Sequence, residues 1–121
     1  MVVTLDQVIA VLSPEEPDYA SAAKLGSEAL PHLDALVKGD DLALAAKATS
    51  LASFIQDNRS VEILMNAARS KHDIVRLATA VGSPNLKVKG VDSVLRLLSA
   101  DKDPSIRKRA IRSMELFDSE G

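Results

Sequence analysis

Val61-Glu62-Ile63-Leu64-Met65-Asn66-Ala67-Ala68 decides how this chain is read, because its outline occurs three times. Thirty-one residues earlier stands Leu30-Pro31-His32-Leu33-Asp34-Ala35-Leu36-Val37, and thirty-one later stands Asp92-Ser93-Val94-Leu95-Arg96-Leu97-Leu98-Ser99. Leu33, Leu64 and Leu95 fall in one column, and Leu36, Ala67 and Leu98 in another. A second segment keeps the same offset: Leu44, Val75 and Ile106 share a column, as do Ala48, Thr79 and Ala110. Two segments that hold one register without a gap mark an internal repeat. A unit this short buries its apolar face only by stacking on its neighbours.

Each unit reads as two helices. In the second repeat, helix A is expected over roughly 41–56, with Leu44, Ala48, Leu51, Ala52 and Ile55 on one face. The turn Asp57-Asn58-Arg59 ends it, and helix B follows over roughly 60–70 with Val61, Leu64 and Ala68 on its inner stripe. Asp103-Pro104 is a helix start, a capping residue followed by proline at the first helical position. Its column-mates are Asp41 and His72, the latter beside Asp73 as an alternative cap. Thr4 is expected to cap a helix over 5–12 that Pro14 and Pro17 terminate and that covers one end of the stack. Residues 18–28 read as helix A of the first repeat, with Tyr19, Ala22, Ala23 and Leu25 inward. Residues 104–117 read as a lone helix A with Ile106, Ala110, Met114 and Phe117 as its stripe. The expected fold class is therefore all-α: an α-solenoid, or superhelix, of stacked antiparallel helical hairpins in a single domain over 1–121. Its parts are an N-terminal capping helix (1–16), hairpins at 17–40, 41–71 and 72–102, and a half repeat at 103–121.

Composition agrees with that reading. Hydrophobic residues make up 46% of the chain and aromatics only 2%, so the core is built from Ala and Leu, which suits close helix packing and not a sheet. Cysteine is absent, which excludes disulfides, thiolate metal sites and cysteine nucleophiles. The first residues show no basic leader and no apolar run approaches the ~20 residues that span a bilayer, so a soluble, cytoplasmic chain is expected. The net charge of −2 hides a polarity: residues 1–60 carry 4 basic and 9 acidic side chains, residues 61–121 carry 11 and 8. Such a field steers a partner more than it sets affinity.

The repeat resembles the short HEAT-like repeat of bacterial proteins, including the type named after phycobilisome lyase subunits. Asp103-Pro104-Ser105-Ile106-Arg107 and Asp73-Ile74-Val75-Arg76 approach that family's Asp-x-x-Val-Arg signature early in helix A, the second with its spacing shortened. Ala29-Leu30-Pro31-His32-Leu33 is similar to its Ala-Ile-Pro-x-Leu start of helix B. The resemblance covers about residues 18–117 and departs at Ala45, which replaces the arginine, and at Glu62 and Ser93, which replace the proline. It implies a stacked-hairpin fold, a structural role for Arg107, and an accessory subunit of a chromophore-lyase type as one functional expectation.

Catalytic chemistry finds little purchase. His32 and His72 start different elements, and no spacing assembles the three or four ligands that a metal needs. The glycines at 26, 39, 82, 90 and 121 form no phosphate-cradling loop. The carboxylate pairs Glu15-Glu16 and Asp40-Asp41 sit in turns, where the helix dipole accounts for the second. No cofactor, metal or enzymatic activity is expected. Arg107-Lys108-Arg109 spans too much of a helix to make one basic face, although Lys108 and Arg112 share one, with Lys102 nearby. Those three residues are the candidates for an anionic partner, nucleic acid or acidic protein. No aromatic platform for bases accompanies them, and the pI is about 5.6.

Pattern-breaking columns of helix B give the leading expectation. Asp34, Met65 and Arg96 form a polar column that should point outward, which leaves Met65 as an exposed apolar side chain; Ala35, Asn66 and Leu97 form the next. Stacked hairpins use the concave B-helix surface for partners, and methionine suits adaptable binding surfaces. The chain is therefore expected to be a non-enzymatic interaction or scaffold module. Glu62, Met65, Asn66, Arg69, Lys89 and Arg96 are its candidate partner-binding residues. The irregular segment Ser83–Gly90 is a further candidate, with repeat decay as its ordinary explanation.

Overall fold

The computed structural model of the chain describes residues 2–120; Met1 and Gly121, the ends of the first and last segments above, lie outside them. Eight α-helices and no strand occur among the described residues: α1 (Leu5–Leu12), α2 (Tyr19–Ala22), α3 (Leu30–Val37), α4 (Leu42–Ala52), α5 (Asn58–Ala68), α6 (Asp73–Gly82), α7 (Val91–Leu98) and α8 (Pro104–Glu120). The repeat columns are core columns. Leu33, Leu64 and Leu95 have no exposed surface, nor do Ala48, Thr79 and Ala110.

Small residues bring the A helices together. α4 packs on α6 and α6 on α8, while α3, α5 and α7 contact one another in sequence as a second row. Ala45, Ala48 and Ala52 on α4 are fully buried, and a Cβ placed on Gly82 of α6 would lie 2.9 Å from Ser53 Oγ. Backbones approach this closely only where side chains are short. The buried hydroxyls all find acceptors: Thr49 and Thr79 donate to the Ala45 and Val75 carbonyls one turn back, and Ser113 of α8 donates to Ala80 of α6 at 2.7 Å. Each B helix also packs more extensively on the A helix that follows than on its own, as α3 does on α4 and α7 on α8.

The boundaries follow local chemistry. Thr4 caps α1 in a full capping box with Gln7, and α1 rests on α3 and α4. His32 Nε2 lies 2.7 Å from the Val3 carbonyl oxygen, which ties the entering chain to α3. Residues 18–28 do not form the single helix expected of them: α2 has one turn, followed by 3-10 turns at Ala23–Leu25 and Ser27–Ala29 on either side of Gly26. Gly26 adopts φ +74°, a region that breaks any continuous helix. α4 stops at Ala52, short of the expected 56, because Phe54 and Ile55 tighten to i→i−3 bonds and Ser53 donates to the Ser50 carbonyl. Ile55 still reaches the core from that turn. α8 runs to Glu120, three residues past expectation.

Arginines at one repeat column staple the turns. Arg76 Nη1 donates to the Ser70 carbonyl at 3.0 Å, and Arg107 Nη1, thirty-one residues on, donates to the equivalent Asp101 carbonyl at 2.7 Å. Each satisfies a turn carbonyl just beyond the C-terminus of a helix, Ser70 after α5 and Asp101 after α7. Arg76 also pairs with the Asp101 carboxylate, joining two successive turns.

Candidate functional site

A groove of about 500 Å³ opens on the B-helix row between α3 and α5. Two helices that carry offset copies of one pattern build it: Leu30, Pro31 and Asp34 from α3, and Arg59, Glu62, Ile63, Met65, Asn66 and Arg69 from the start, body and end of α5. The floor is apolar. Leu30 and Ile63 are almost wholly buried, and Met65 is half-buried against the core. Met65 therefore departs from the exposed position expected of it. Its unbranched thioether chain packs partly against the core cluster while still lining the groove.

The rim is charged and unevenly satisfied. Asn66 Nδ2 reaches Asp34 Oδ1 across the groove at 3.4 Å, and Asp34 pairs with Lys38 at 2.9 Å. Arg59 is held by Asp57 through Nε and Nη2. Asp57 caps α5 and also accepts Ser27 Oγ at 2.6 Å; these bonds, Arg59 first and then Ser27, keep its carboxyl far below the usual carboxylate range. Glu62 and Arg69 are exposed, and their side chains make no hydrogen bond or ion pair among the described residues. The groove thus combines an apolar floor with a carboxylate and a guanidinium that are unpaired among the described residues.

Four of the six residues singled out from the sequence, Glu62, Met65, Asn66 and Arg69, converge on this groove. Lys89 and Arg96 stand outside it. Lys89 is exposed in the segment after the 3-10 turn Ser83–Asn85, and Arg96 on α7 pairs with Asp92 one turn away. Asp34 and Arg59 line the groove without being among the six candidates. Asp34 shares the Met65 column, which is a usable signal, whereas Arg59 reads as part of a turn in a sequence whose helix B is expected from about residue 60; the structure starts that helix at Asn58.

The other candidates take structural or solvated positions. His72 is the N-cap of α6 without a side-chain capping bond, and Asp73 is the first helical residue. The irregular segment is tied down: Gln56 donates to the Asn85 carbonyl and accepts from Lys87 N, Leu86 is fully buried, and Gly90 at φ +105° starts α7. Lys102, Lys108 and Arg112 are exposed. Among the described residues no three His, Cys, Asp or Glu side chains come together as metal ligands, and no helix is long and apolar enough to cross a membrane. The chain matches no protein-family model, and no curated protein matches it significantly.

Proposed function

We propose that the chain is an α-solenoid of HEAT-like hairpins that works as a non-enzymatic, cytoplasmic interaction module, taking a segment of a protein partner into the α3–α5 groove. The observation that carries this reading is the convergence of Met65, Glu62, Asn66 and Arg69 on one apolar-floored groove whose rim keeps an acid and a base that are unpaired among the described residues. A buried apolar centre ringed by polar groups is the ordinary anatomy of a small interface. The two rows of contacting helices support the solenoid, and the absence of cysteine suits a reducing compartment. A second reading, an anionic partner on the basic C-terminal half, has one observation in its favour: Lys108 and Arg112 are exposed and unpaired among the described residues.

The test needs a partner and two variants. A photo-crosslinking residue at Asn66 captures the partner, and calorimetry then compares its affinity for wild type, for Met65→Asp, and for Lys108→Glu with Arg112→Glu. Met65→Asp places an unpaired charge at the centre of the contact and should weaken binding by at least about 2 kcal/mol. Normal binding by Met65→Asp, with loss in the charge-reversed variant, would remove the groove reading in favour of the second.

A further inference from the structure

The outward face of α6 carries Ile74, Leu77 and Val81, which are 45%, 40% and 45% exposed. At about 100° per residue they fall within one narrow sector, so they form a stripe along the helix and not three scattered side chains. The repeat does not require it. Thirty-one residues earlier, the same columns on α4 hold Ala43, Ala46 and Ser50; thirty-one later, those on α8 hold Ser105, Lys108 and Arg112. α6 is also an inner member of its row, flanked by α4 and α8, so no element among the described residues covers this face.

The neighbouring stripe on α8 is basic. Lys108 and Arg112, one turn apart, share one side of that helix, with Arg109 about 100° round from Lys108 at its edge; the side chains of all three are exposed without a hydrogen bond or ion pair among the described residues. Glu115, one turn beyond Arg112, forms no ion pair with it. The Ser113–Ala80 hydrogen bond locks α8 against α6, and a cleft of about 230 Å³, lined by Ile74, Leu77, Ser105 and Ile106, opens between their first turns. Packed helices lie about 8–10 Å apart, so the apolar and basic stripes run side by side. Asp73 and Asp103 close the N-terminal end of the cleft, where Asp103 caps α8 through Ser105 N.

We infer that the outer faces of α6 and α8 form a second docking surface, distinct from the α3–α5 groove, for an amphipathic helix with an apolar edge and an acidic flank. Its apolar side chains, one turn apart, lie on Ile74, Leu77 and Val81, and its carboxylates meet Lys108, Arg109 and Arg112. The two aspartates at the other end set its direction, since they repel acidic groups there. Nucleic acid would use the basic stripe but leave the apolar one in water.

The probe is a fluorescein-labelled helical peptide with leucines at one-turn intervals and glutamates along one flank; its control replaces the glutamates with lysines. Anisotropy titrations with the full chain should show at least about a tenfold preference for the acidic peptide. Leu77→Gln with Val81→Gln, and separately Lys108→Glu with Arg112→Glu, should each cost about tenfold or more. Amide NMR shifts on the wild-type protein give the same answer without any variant: resonances of α6 and α8 should move and those of α3 and α5 should not. The proposal is overturned if neither peptide binds, if the shifts map to α3 and α5, or if the Gln variants bind the acidic peptide normally. It is equally overturned if duplex DNA or phosphatidylserine vesicles bind where the acidic peptide does not, or if the wild type sediments as a dimer that Leu77→Gln dissociates.

Discussion

Arg76 and Asp101 meet at 2.9 Å with side chains only 7% and 6% exposed, and every polar contact of the guanidinium is to that carboxylate or to the Ser70 carbonyl. Two charges taken out of water are costly unless each compensates the other, so the pair matters most when one half is missing. Asp101→Ala should therefore lose about 3–5 kcal/mol in urea denaturation, while Arg76→Met with Asp101→Leu should recover much of that loss. A single loss no larger than that of the double variant would show that the pair is not buried in solution. The leucine columns make a second contrast. Leu64 is fully buried, so Leu64→Ala should cost about 2–5 kcal/mol; Met65→Ala, half-buried at the next position, should cost less, about 1–2 kcal/mol. The burial of Leu64 was legible in the sequence, because a column that repeats as Leu33, Leu64 and Leu95 has to face the stack. That of Met65 was not, since it depends on how closely α3 approaches α5, and no residue of α5 encodes that distance.

The turn between α4 and α5 is where one element depends on another far off in sequence. Asp57 caps α5 at Arg59 N, pairs with the Arg59 side chain, and accepts a hydrogen bond from Ser27, thirty residues earlier, so the loop of the first repeat is tied to the second. All these contacts favour the ionised carboxyl and hold its folded pKa below the ordinary 3.8. A group depressed in this way stabilises the fold above its unfolded pKa, and that contribution is lost as pH falls below it. Asp18 and Asp103 are lowered likewise, by Ser21 and by Ser105. The melting temperature should thus fall as pH drops below about 4, and Asp57→Asn should flatten part of that fall without abolishing it, since the other two acids remain. An unchanged slope in the variant would show that Asp57 does not couple the elements. The helix starts at Thr4, Asp41 and Asp103 could be read from capping chemistry alone. The end of α2 at Ala22 and the short end of α4 could not, because both depend on how the turn must travel to place Ser27 and Ile55. The groove was half legible in the same way: the column of Asp34 and Met65 is visible in the sequence, but that α3 stands close enough to α5 for Asp34 to face Asn66 across a groove is not.

Over the whole molecule, one buried apolar cluster runs from Val3 to Ala110, and no hairpin has a core of its own. The close seam of α4 with α6, and the grip of each B helix on the following A helix, mean that removing one unit uncovers the faces of two others. A chain of this length and design should unfold in one transition. Its ends offer separate reporters. Tyr19, the only tyrosine in a chain without tryptophan, stacks on Phe54 at 6.0 Å near the first repeat, and Phe117 packs half-buried on the core near the end of α8. With Phe117→Trp, tyrosine and tryptophan fluorescence should report the same urea midpoint, which should also match the midpoint from circular dichroism. Leu64→Ala, placed in the middle of the stack, should then lower all three midpoints together, although neither reporter touches it. Separate midpoints, or a shift confined to one end, would mean that the hairpins fold independently and that the proposed solenoid is a string of weakly coupled pairs. A coincident shift would also bear on binding. The α3–α5 groove and the α6–α8 face are built on one cooperative body, so a partner that stabilises either should raise the melting temperature reported from both ends.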